Sequence, residues 1–305
     1  MKKIILSIFL FLFISTTMWQ SALYAQSKKK LANEDILLCL ESATHHSGMF
    51  GVFLTALGAL DFYENEGYGG IYFNLNSGFY YDASVGPNWW EYYFEPLGLS
   101  GNVLTRQALT LSQVYDFAFG TLLHMPRQRG FELIQKYVVV KENILDEVAQ
   151  FKRDNFQDSY VIGMHYRGTD KIRLEVNKLS FEYITEAIKK TIQSVPEDKQ
   201  NNYRLFIATD EQQFLDYIFQ KFNCPIIYTN ALRSTDDIAI HDRAGYENGY
   251  SNYLKGKEAL IDCLLLSQCD FLIRTESNLS RAAELFNPTL PVLFLDSGWK
   301  VYIPK

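Results

Sequence analysis

The sequence predicts an α/β protein whose two lobes face each other across a cleft. After about Ser159, short apolar runs alternate with amphipathic stretches of helical period. This alternation is typical of a parallel sheet with helices on both faces. The pattern before Ser159 is less regular, so we predict an N-terminal lobe over residues 26–158 and a C-terminal lobe over residues 159–305. Clefts between lobes are preferred sites for small ligands.

The predicted C-terminal lobe consists of alternating strands and helices. We predict strands at Tyr160–His165, Arg204–Ala208, Pro225–Tyr228, Phe271–Ile273 and Val292–Leu295. The helices between them are predicted at Phe181–Ile192, Gln212–Phe222, Lys257–Ser267 and Asn278–Leu285. Ser180 precedes the first of these helices and Glu182 lies in its first turn, a combination typical of helix starts.

The predicted N-terminal lobe has fewer clear elements. Ile36–Leu40 and Gly70–Asn74 are predicted strands, and Gly51–Glu64 is a predicted helix between them. Aromatic residues make up 15% of the chain and crowd this lobe, above all between residues 80 and 94. Such density suits stacking on a sugar or a base, although most buried aromatic side chains simply form core.

Composition and charge exclude several classes of protein. Hydrophobic residues make up 48% and charged residues 21% of the 305 residues, which is typical of a globular protein with a substantial core. The net charge of −6 and the pI near 5.5 argue against nucleic acid as the main partner. The four cysteines are scattered without neighbouring histidines, so no zinc site is predicted. Any site for a polyanion must be a local pocket of basic side chains.

The first 25 residues read as a targeting segment. Lys2 and Lys3 precede an apolar run, and small residues at Ala22 and Ala25 suit cleavage before Gln26. We therefore predict a cleaved secretory signal and an exported or secretory-pathway protein. The alternative is an uncleaved signal anchor, with membrane association through residues 4–23, because that stretch is just long enough to span a bilayer.

The most informative segment runs from Tyr160 to Lys171. It begins as an apolar strand and ends in polar and charged groups that include His165 and Arg167. In an open α/β sheet, ligands bind at the carboxyl ends of the strands. The His, Arg and Lys side chains of this segment would face a negatively charged group, so they predict a site for an anion such as a pyrophosphate. A surface ion-pair cluster is the alternative on residue types alone.

An acidic side chain follows this segment. Glu175 lies four residues after Lys171 in the loop before the next predicted helix. A carboxylate that a lysine keeps ionised and oriented is a candidate general base for an acceptor hydroxyl. A solvated surface pair is the simpler interpretation of these two residues in isolation.

Three further positions could carry chemistry. Asp210 follows the second strand, where it suits the N-cap of the next helix better than a metal site. Asp262 interrupts an apolar helix and needs a partner or a ligand, and one carboxylate can accept both adjacent N–H donors of a guanine base. Ser277 and Asn278 open the last helix, either as an anion site or as an ordinary cap.

These segments, taken in order, resemble a known family. His-Tyr-Arg-Gly-Thr-Asp-Lys at 165–171, Ala-Thr-Asp-Glu at 208–211 and Ser-Asn-Leu-Ser-Arg at 277–281 resemble the shared motifs of the α1,6-fucosyltransferases, which are distantly related to the protein O-fucosyltransferases. The resemblance covers most of residues 160–296. Two weaker matches lie in the first lobe, a Gly-rich loop at 48–51 and a Trp-Glu-x-x-Phe-x-Pro segment at 90–96.

The resemblance implies a fold and an activity. The fold would be GT-B-like, with two Rossmann-like lobes facing a cleft and the GDP-sugar bound by the C-terminal lobe. The activity would be inverting, metal-independent transfer of fucose from GDP-fucose to a hydroxyl of a glycan or glycoconjugate. No cofactor is expected besides the donor substrate.

The resemblance also assigns roles to the reacting end of the site. Arg167 would hold the β-phosphate and Lys171 would neutralise the leaving diphosphate. Glu175 would be the base for the acceptor hydroxyl. Asp210 would keep the site in shape without touching the sugar.

The remaining implied roles concern the nucleotide. His165 would touch the nucleoside and Asp262 would read guanine. Ser277 and Asn278 would bind phosphate at the helix start. The glycines of the first-lobe loop, Gly48 and Gly51, would let that lobe approach the nucleotide closely.

The sequence departs from the family pattern at two positions. Gly168 stands where the α1,6 enzymes have a second arginine, which leaves the linkage and the fucose preference open. Glu211 stands for the second acid of an Ala-Thr-Asp-Asp motif. A transferase for another GDP-sugar and a non-catalytic nucleotide- or glycan-binding module are therefore the alternative functions.

Overall fold

The computed structural model describes residues 32–41, 48–97, 105–110, 125–169, 179–236, 238–243, 250–295 and 300–302. Two parallel sheets, each covered by helices, form the framework of this part of the chain. The targeting segment predicted at residues 1–25 lies outside it. No helix within the described ranges is long and apolar enough to cross a membrane.

The smaller sheet lies in the first half of the chain. Its strands are β1 (Ile36–Glu41), β2 (Gly70–Asn74) and β3 (Thr105–Thr110), all parallel in the order β2-β1-β3. Helix α1 (Met49–Glu66) connects β1 to β2, and nearly all of its residues up to Leu60 are buried. The helix ends at Gly67, whose φ of +68° makes a left-handed cap that suits a residue without a Cβ.

Three more helices lead to the larger sheet. They are the single turn α2 (Trp90–Tyr93), α3 (Arg127–Tyr137) and α4 (Glu142–Asn155). The ring of Trp90 packs edge-on against Phe73 of β2, with their centroids 4.8 Å apart. The aromatic residues that crowd this lobe are thus largely core, with both rings almost fully buried.

The larger sheet has six strands in the order β6-β5-β4-β7-β8-β9. They are β4 (Tyr160–Tyr166), β5 (Tyr203–Thr209), β6 (Ile226–Ile227), β7 (Phe271–Arg274), β8 (Val292–Phe294) and β9 (Lys300–Tyr302). All neighbours are parallel except β8 and β9. The chain runs from β4 outward through β5 and β6 and then resumes on the other side at β7. The gap between β4 and β7 is therefore a topological switch point, where open α/β sheets bind ligands.

Helices cover both faces of this sheet. They are α5 (Phe181–Gln193), α6 (Gln212–Lys221), α7 (Asn252–Leu266) and α8 (Asn278–Phe286). Alternate residues of β4 point to opposite faces, as the strand period requires. Ile162 and Met164 pack in one hydrophobic core with residues of α5 and α6, while Val161 belongs to a second core with residues of α7 and α8.

The second core extends into the first half of the chain. Helix α8 packs against both α1 and α3. The rings of Phe53 and Phe286 stack with their centroids 5.6 Å apart. A Cβ on Gly130 of α3 would lie 2.9 Å from Leu285 of α8, so the two helices approach too closely for any larger residue. The two sheets are thus joined by tightly packed helices.

The structure confirms the predicted α/β class and the predicted elements, most of them with ends shifted by one or two residues. Two elements differ more from the prediction. Helix α7 begins at Asn252, five residues before the predicted start at Lys257, because Ser251 accepts a capping hydrogen bond from the Leu254 N–H at 3.2 Å. Strand β3 was not predicted, because its Thr-Arg-Gln start has no apolar alternation.

Candidate active site

A groove opens at the carboxyl ends of β4 and β5. The groove has a volume of about 90 Å3, or about 600 Å3 when the adjoining space open to solvent is included. Its lining comprises Tyr80, His165, Arg167, Thr209, Asp210, Ala231, Leu232, Ile240, His241, Tyr250, Lys255, Glu258, Ala259, Asp262 and Leu279. The structure therefore brings residues of separate sequence motifs, His165, Arg167, Asp210 and Asp262, to one groove.

Arg167 is held on several sides. Its backbone N–H donates to Thr275 Oγ1 at 3.2 Å, and its Nε lies 3.2 Å from Asp210 Oδ2. Its Nη2 lies 3.2 Å from His241 Nδ1. Because a guanidinium can only donate, Nδ1 accepts this bond and the ring proton of His241 is on Nε2. These contacts fix a cation at the end of β4.

Asp210 ties the ends of β4 and β5 together. Its Oδ1 accepts the Gly168 N–H at 2.9 Å, and its Oδ2 accepts the Thr169 hydroxyl at 2.7 Å. The prediction that Asp210 caps α6 is wrong. The N-cap is Glu211, without a side-chain capping bond, because the Asp210 carboxylate is turned toward the loop after β4. This geometry fits the shaping role that the resemblance implies, which stays a prediction.

Gly168 and Glu211 are in contact with each other. A Cβ on Gly168 would lie 1.8 Å from Glu211 Oε2 and 2.8 Å from Tyr166 Cε1. Glu211 is 4% exposed, so its carboxylate has little room to move aside. No side chain fits at position 168 in this arrangement. The two departures from the family pattern, Gly168 and Glu211, are therefore coupled by direct contact.

Asp262 closes the other end of the groove. It is buried on α7, and its Oδ1 accepts the Thr229 hydroxyl at 2.7 Å. Its Oδ2 has no hydrogen-bond partner among the described residues. Burial raises the pKa of Asp262 to about 6, against lowering effects of Thr229 and Arg233. The side chain thus presents one oxygen to the groove as an acceptor.

A second acid lies one helical turn before Asp262. Burial, with a further contribution from the Asp262 charge, raises the pKa of Glu258 to about 7. Glu258 Oε2 accepts the backbone N–H of Leu232 at 3.0 Å. The two carboxyl groups therefore titrate near neutral pH within the same groove.

The sequence analysis missed several residues of this groove. Lys255 is 6% exposed and donates to the backbone carbonyl of Arg243 at 2.8 Å. Lys255, Glu258 and Asp262 share one face of α7 at helical spacing, a signal that the late predicted helix start concealed. His241 lies in a short 3-10 turn, Ile240–Asp242, which no sequence pattern predicted.

The two glycines of the predicted loop lie at the start of α1. Gly48 is the N-cap of that helix, and a Cβ on it would lie 3.9 Å from His241 Nδ1. It therefore adjoins the groove without lining it. Gly51 lies within the first turn, where its N–H donates to the Gly48 carbonyl at 2.9 Å.

The remaining predicted site residues lie elsewhere. Ser277 is the N-cap of α8 and accepts the Leu279 N–H at 3.3 Å, so the ordinary capping interpretation holds for it. Asn278 is the first residue of α8, and neither of the two lines the groove. Lys171 and Glu175 lie outside the described residues, so their roles stay predictions.

Comparison with known proteins places the chain in a family. The profile described as "Alpha-(1,6)-fucosyltransferase N- and catalytic domains" matches residues 132–285, half of the 305-residue chain. No curated protein sequence matches the chain. The two sheets form a GT-B-like fold, and the matching profile defines the class of protein as a glycosyltransferase. Within that class, the chain belongs to the α1,6-fucosyltransferase family.

Solved structures share the fold at low sequence identity. NodZ α1,6-fucosyltransferase, known from Bradyrhizobium, was co-crystallised with GDP and aligns with a TM-score of 0.58 at 16% identity over 87% of this chain and 98% of its own. POFUT1 in complex with GDP aligns with a TM-score of 0.52 at 10% identity, over 86% of this chain and 99% of its own. An Arabidopsis thaliana FUT1 mutant in complex with GDP aligns with a TM-score of 0.51 at 10% identity, over 94% of this chain and 74% of its own.

The contact between Gly168 and Glu211 yields a stability prediction. We expect Gly168→Ala to lower the free energy of unfolding by about 1–3 kcal/mol, because an added methyl in a filled space forces neighbours to shift. In a Glu211→Ala background the same change should cost clearly less, because the nearest contact is gone. Urea unfolding of the two single variants and the double variant measures this coupling. Equal costs in both backgrounds would contradict the contact.

The raised pKa of Asp262 yields a pH prediction. The folded state holds this proton more tightly than the unfolded state, so stability falls as pH rises from about 4 to about 6 and stays low above that. Asp262→Asn should therefore be more stable than the parent at about pH 8 by up to about 3 kcal/mol, at about 1.36 kcal/mol per pKa unit. Below about pH 4 the difference should vanish.

Urea unfolding of parent and variant across that pH range is the measurement. The amide oxygen introduced by Asp262→Asn would still accept the Thr229 hydroxyl, so the comparison isolates the charge. The matched control is Asp154→Asn, the same substitution at an exposed position of α4. If Asp262→Asn follows the same pH curve as the parent, the buried carboxyl does not titrate as described.

Proposed function

We propose that the protein transfers fucose from GDP-fucose to a hydroxyl of a glycan or glycoconjugate, with inversion and without a metal. The observation that carries the proposal is the convergence of Arg167 and Asp262 on one groove, in a chain that belongs to a fucosyltransferase family. The structural relative NodZ has been studied with GDP and after soaking with GDP-fucose, which supports the choice of donor.

The nucleotide end of the donor is assigned to Asp262. An ionised carboxylate with a free Oδ2 accepts N–H donors, and guanine offers two adjacent ones on its Watson–Crick edge. Uracil offers one N–H flanked by two carbonyl oxygens, which an anion repels. His165 also lines the groove and would contact the nucleoside. This chemistry favours GDP over UDP.

The diphosphate end is assigned to Arg167. Negative charge builds on the diphosphate as its bond to the sugar breaks, so a cation that is already fixed acts where charge develops. The contacts of Arg167 with Asp210, His241 and Thr275 hold it without further rearrangement. Lys171 would add a second cation, and together they would neutralise the leaving group in place of a metal.

The chemical step needs a base on the acceptor side. The acceptor oxygen attacks the anomeric carbon on the face opposite the diphosphate, which gives inversion. Its proton passes to a carboxylate, and the bond between the anomeric carbon and the phosphate oxygen breaks to release GDP. We assign the base to Glu175, four residues after Lys171.

A second candidate function is transfer from another GDP-sugar. It is favoured by one observation, the contact of Gly168 with Glu211, which excludes a second arginine beside Arg167. A competition series of GDP-sugars against GDP-fucose separates the two. The non-catalytic binding module is disfavoured because Arg167, Lys171, Glu175 and Asp262 are all retained.

We further propose export through the segment at residues 1–25, as a cleaved signal. The donor must then be present in the same compartment as the enzyme. A secretory-pathway lumen supplied by a sugar-nucleotide transporter meets this condition. A membrane-anchored form through residues 4–23 meets it equally.

Donor recognition is tested by calorimetric titration of the purified protein with GDP in EDTA. We expect saturable binding of GDP and none of UDP, because Asp262 accepts from the guanine edge and no metal takes part. GDP binding that appears only after Mg2+ is added would contradict metal independence. A folded protein that binds neither nucleotide would overturn the donor assignment.

The role of Arg167 is tested by Arg167→Ala. We expect turnover to fall by about 10²–10³-fold or more, because a fixed donor to the developing charge is lost. The matched control is Arg153→Ala, an exposed arginine of α4 that contacts only Gln150 among the described residues. Its activity should equal that of the parent. Circular dichroism of both variants checks the fold, and near-normal turnover of a folded Arg167→Ala would rule out this mechanism.

A further inference from the structure

A second cavity lies beside the candidate active site. It encloses about 220 Å3, more than the floor of the groove. It is lined by Met125, Arg127, Arg274, Glu276, Arg281, Glu284 and Leu285, and we call it the arginine cavity. None of the residue roles discussed above involves it.

The arginine cavity adjoins the groove through the larger sheet. Arg274 is the last residue of β7 and is paired in register with His165 of β4. Neighbouring strands lie only about 4.8 Å apart. The next residue, Thr275, accepts the backbone N–H of Arg167 at 3.2 Å. Leu279 of α8 lines the groove, whereas Arg281 and Glu284 of the same helix line the cavity. The groove and the arginine cavity are therefore lined by residues of the same neighbouring strand ends and of the same helix.

Two of the three guanidinium groups are fixed by one carboxylate. Glu284 is 6% exposed and pairs with both Arg127 and Arg274. Arg127 also donates to the Leu290 carbonyl at 2.9 Å and lies 3.8 Å from the ring centroid of Tyr302. These contacts hold the guanidinium planes in place before any ligand arrives, but they leave one negative charge for two positive ones.

The third guanidinium group has no such partner. Arg281 is half-buried, and its guanidinium group makes no hydrogen bond or ion pair in the part of the chain that the structure describes. Burial lowers its pKa, yet an arginine remains charged at neutral pH because its ordinary pKa is so high. The charges of Glu276 and Glu284 act against this effect of burial, but Glu276 is 42% exposed and water screens its charge. The lining thus carries three cations and two anions, a net charge of +1.

We propose that the arginine cavity is an anion subsite that binds a carboxylate, sulfate or phosphate group of the acceptor. Fixed planar guanidinium groups recognise oxyanions through paired hydrogen bonds, and Arg281 has its donors available. The volume equals that of roughly seven water molecules at about 30 Å3 each, which is ample for such a group. The assignment to the acceptor rests on the proposed function, whereas the assignment of an anion site does not.

Inorganic sulfate is the probe for the anion site. The protein is first saturated with GDP to fill the groove and then titrated calorimetrically with sodium sulfate, with chloride replaced to hold the ionic strength constant. We expect a saturable isotherm, weakened about tenfold or more by Arg281→Ala because charged hydrogen bonds are lost. Arg281→Lys should bind with intermediate affinity, since it keeps the charge but not the planar fork. Arg153→Ala should bind as the parent does.

Several outcomes of this titration are decisive. Equal sulfate affinity of the parent and Arg281→Ala, or no saturable binding by the parent, overturns the anion site. The guanidinium group of Arg281 makes no hydrogen bond or ion pair within the described ranges, so its truncation should leave the fold intact, and the unfolding temperature without sulfate checks this. Sulfate should raise that temperature in the parent and not in Arg281→Ala.

The source of the anion is tested with matched acceptors. We compare a saccharide that carries glucuronic acid with the same saccharide carrying glucose. Arg281→Ala should raise KM for the acidic acceptor about tenfold and leave kcat and the neutral acceptor unchanged. Equal effects on both, despite Arg281-dependent sulfate binding, would overturn the acceptor assignment and identify a free-anion site. Sulfate binding requires no turnover, so failure of the proposed transfer reaction is a separate result.

Discussion

The rest of the site depends on the hydrogen bonds that the carboxylate of Asp210 accepts. It accepts hydrogen bonds from Gly168 and Thr169 and pairs with Arg167, all three from the end of β4 and the loop after it. Hydrogen bonds to a charged group contribute about 1.5–3 kcal/mol each. One side chain therefore holds the ends of two neighbouring strands in register and sets the direction of the cation. Because these contacts occupy both oxygens of Asp210, the carboxylate positions the neighbouring groups of the site.

The groove is built at the expense of stability. Asp262 is a buried acid and Glu258 a half-buried one, and their pKa values are raised to about 6 and about 7, so ionising them opposes folding. Neither has a salt bridge among the described residues, and Arg233 supplies only a favourable field from a distance. An apolar residue in place of Asp262 would suit the surrounding core better. Acids with raised pKa values in a groove are the expected pattern for a ligand-binding site.

Local sequence patterns predicted the fold better than they predicted the site. Strands such as β4 and helices such as α5 follow from apolar runs, helical spacing and the Ser180 cap, all of which are local signals. The capping role expected for Asp210 was equally plausible locally. It failed because its true partners, Gly168 and Thr169, are about forty residues away in the chain and no local rule can weigh them. His241 reaches Arg167 from a loop for the same reason. Lys255 could have been predicted from the sequence. Ser251 is a recognisable N-cap, and a helix that begins after it has Lys255 on the same face as Asp262.

The contact between Gly168 and Glu211 restricts how this site can change. Any residue with a Cβ at position 168 meets the buried Glu211 carboxylate at 1.8 Å, so a side chain introduced there first forces that carboxylate to shift at a cost in stability. Shortening Glu211 to aspartate first leaves a gap of one methylene, which costs about 0.8 kcal/mol of burial and is readily tolerated. A longer side chain at 168 also requires the ring of Tyr166 to shift, because its Cε1 would lie 2.8 Å from the added Cβ. A change at position 168 is therefore coupled to both Glu211 and Tyr166. A second guanidinium beside Arg167 would then meet a shorter carboxylate, which is the combination of the family pattern.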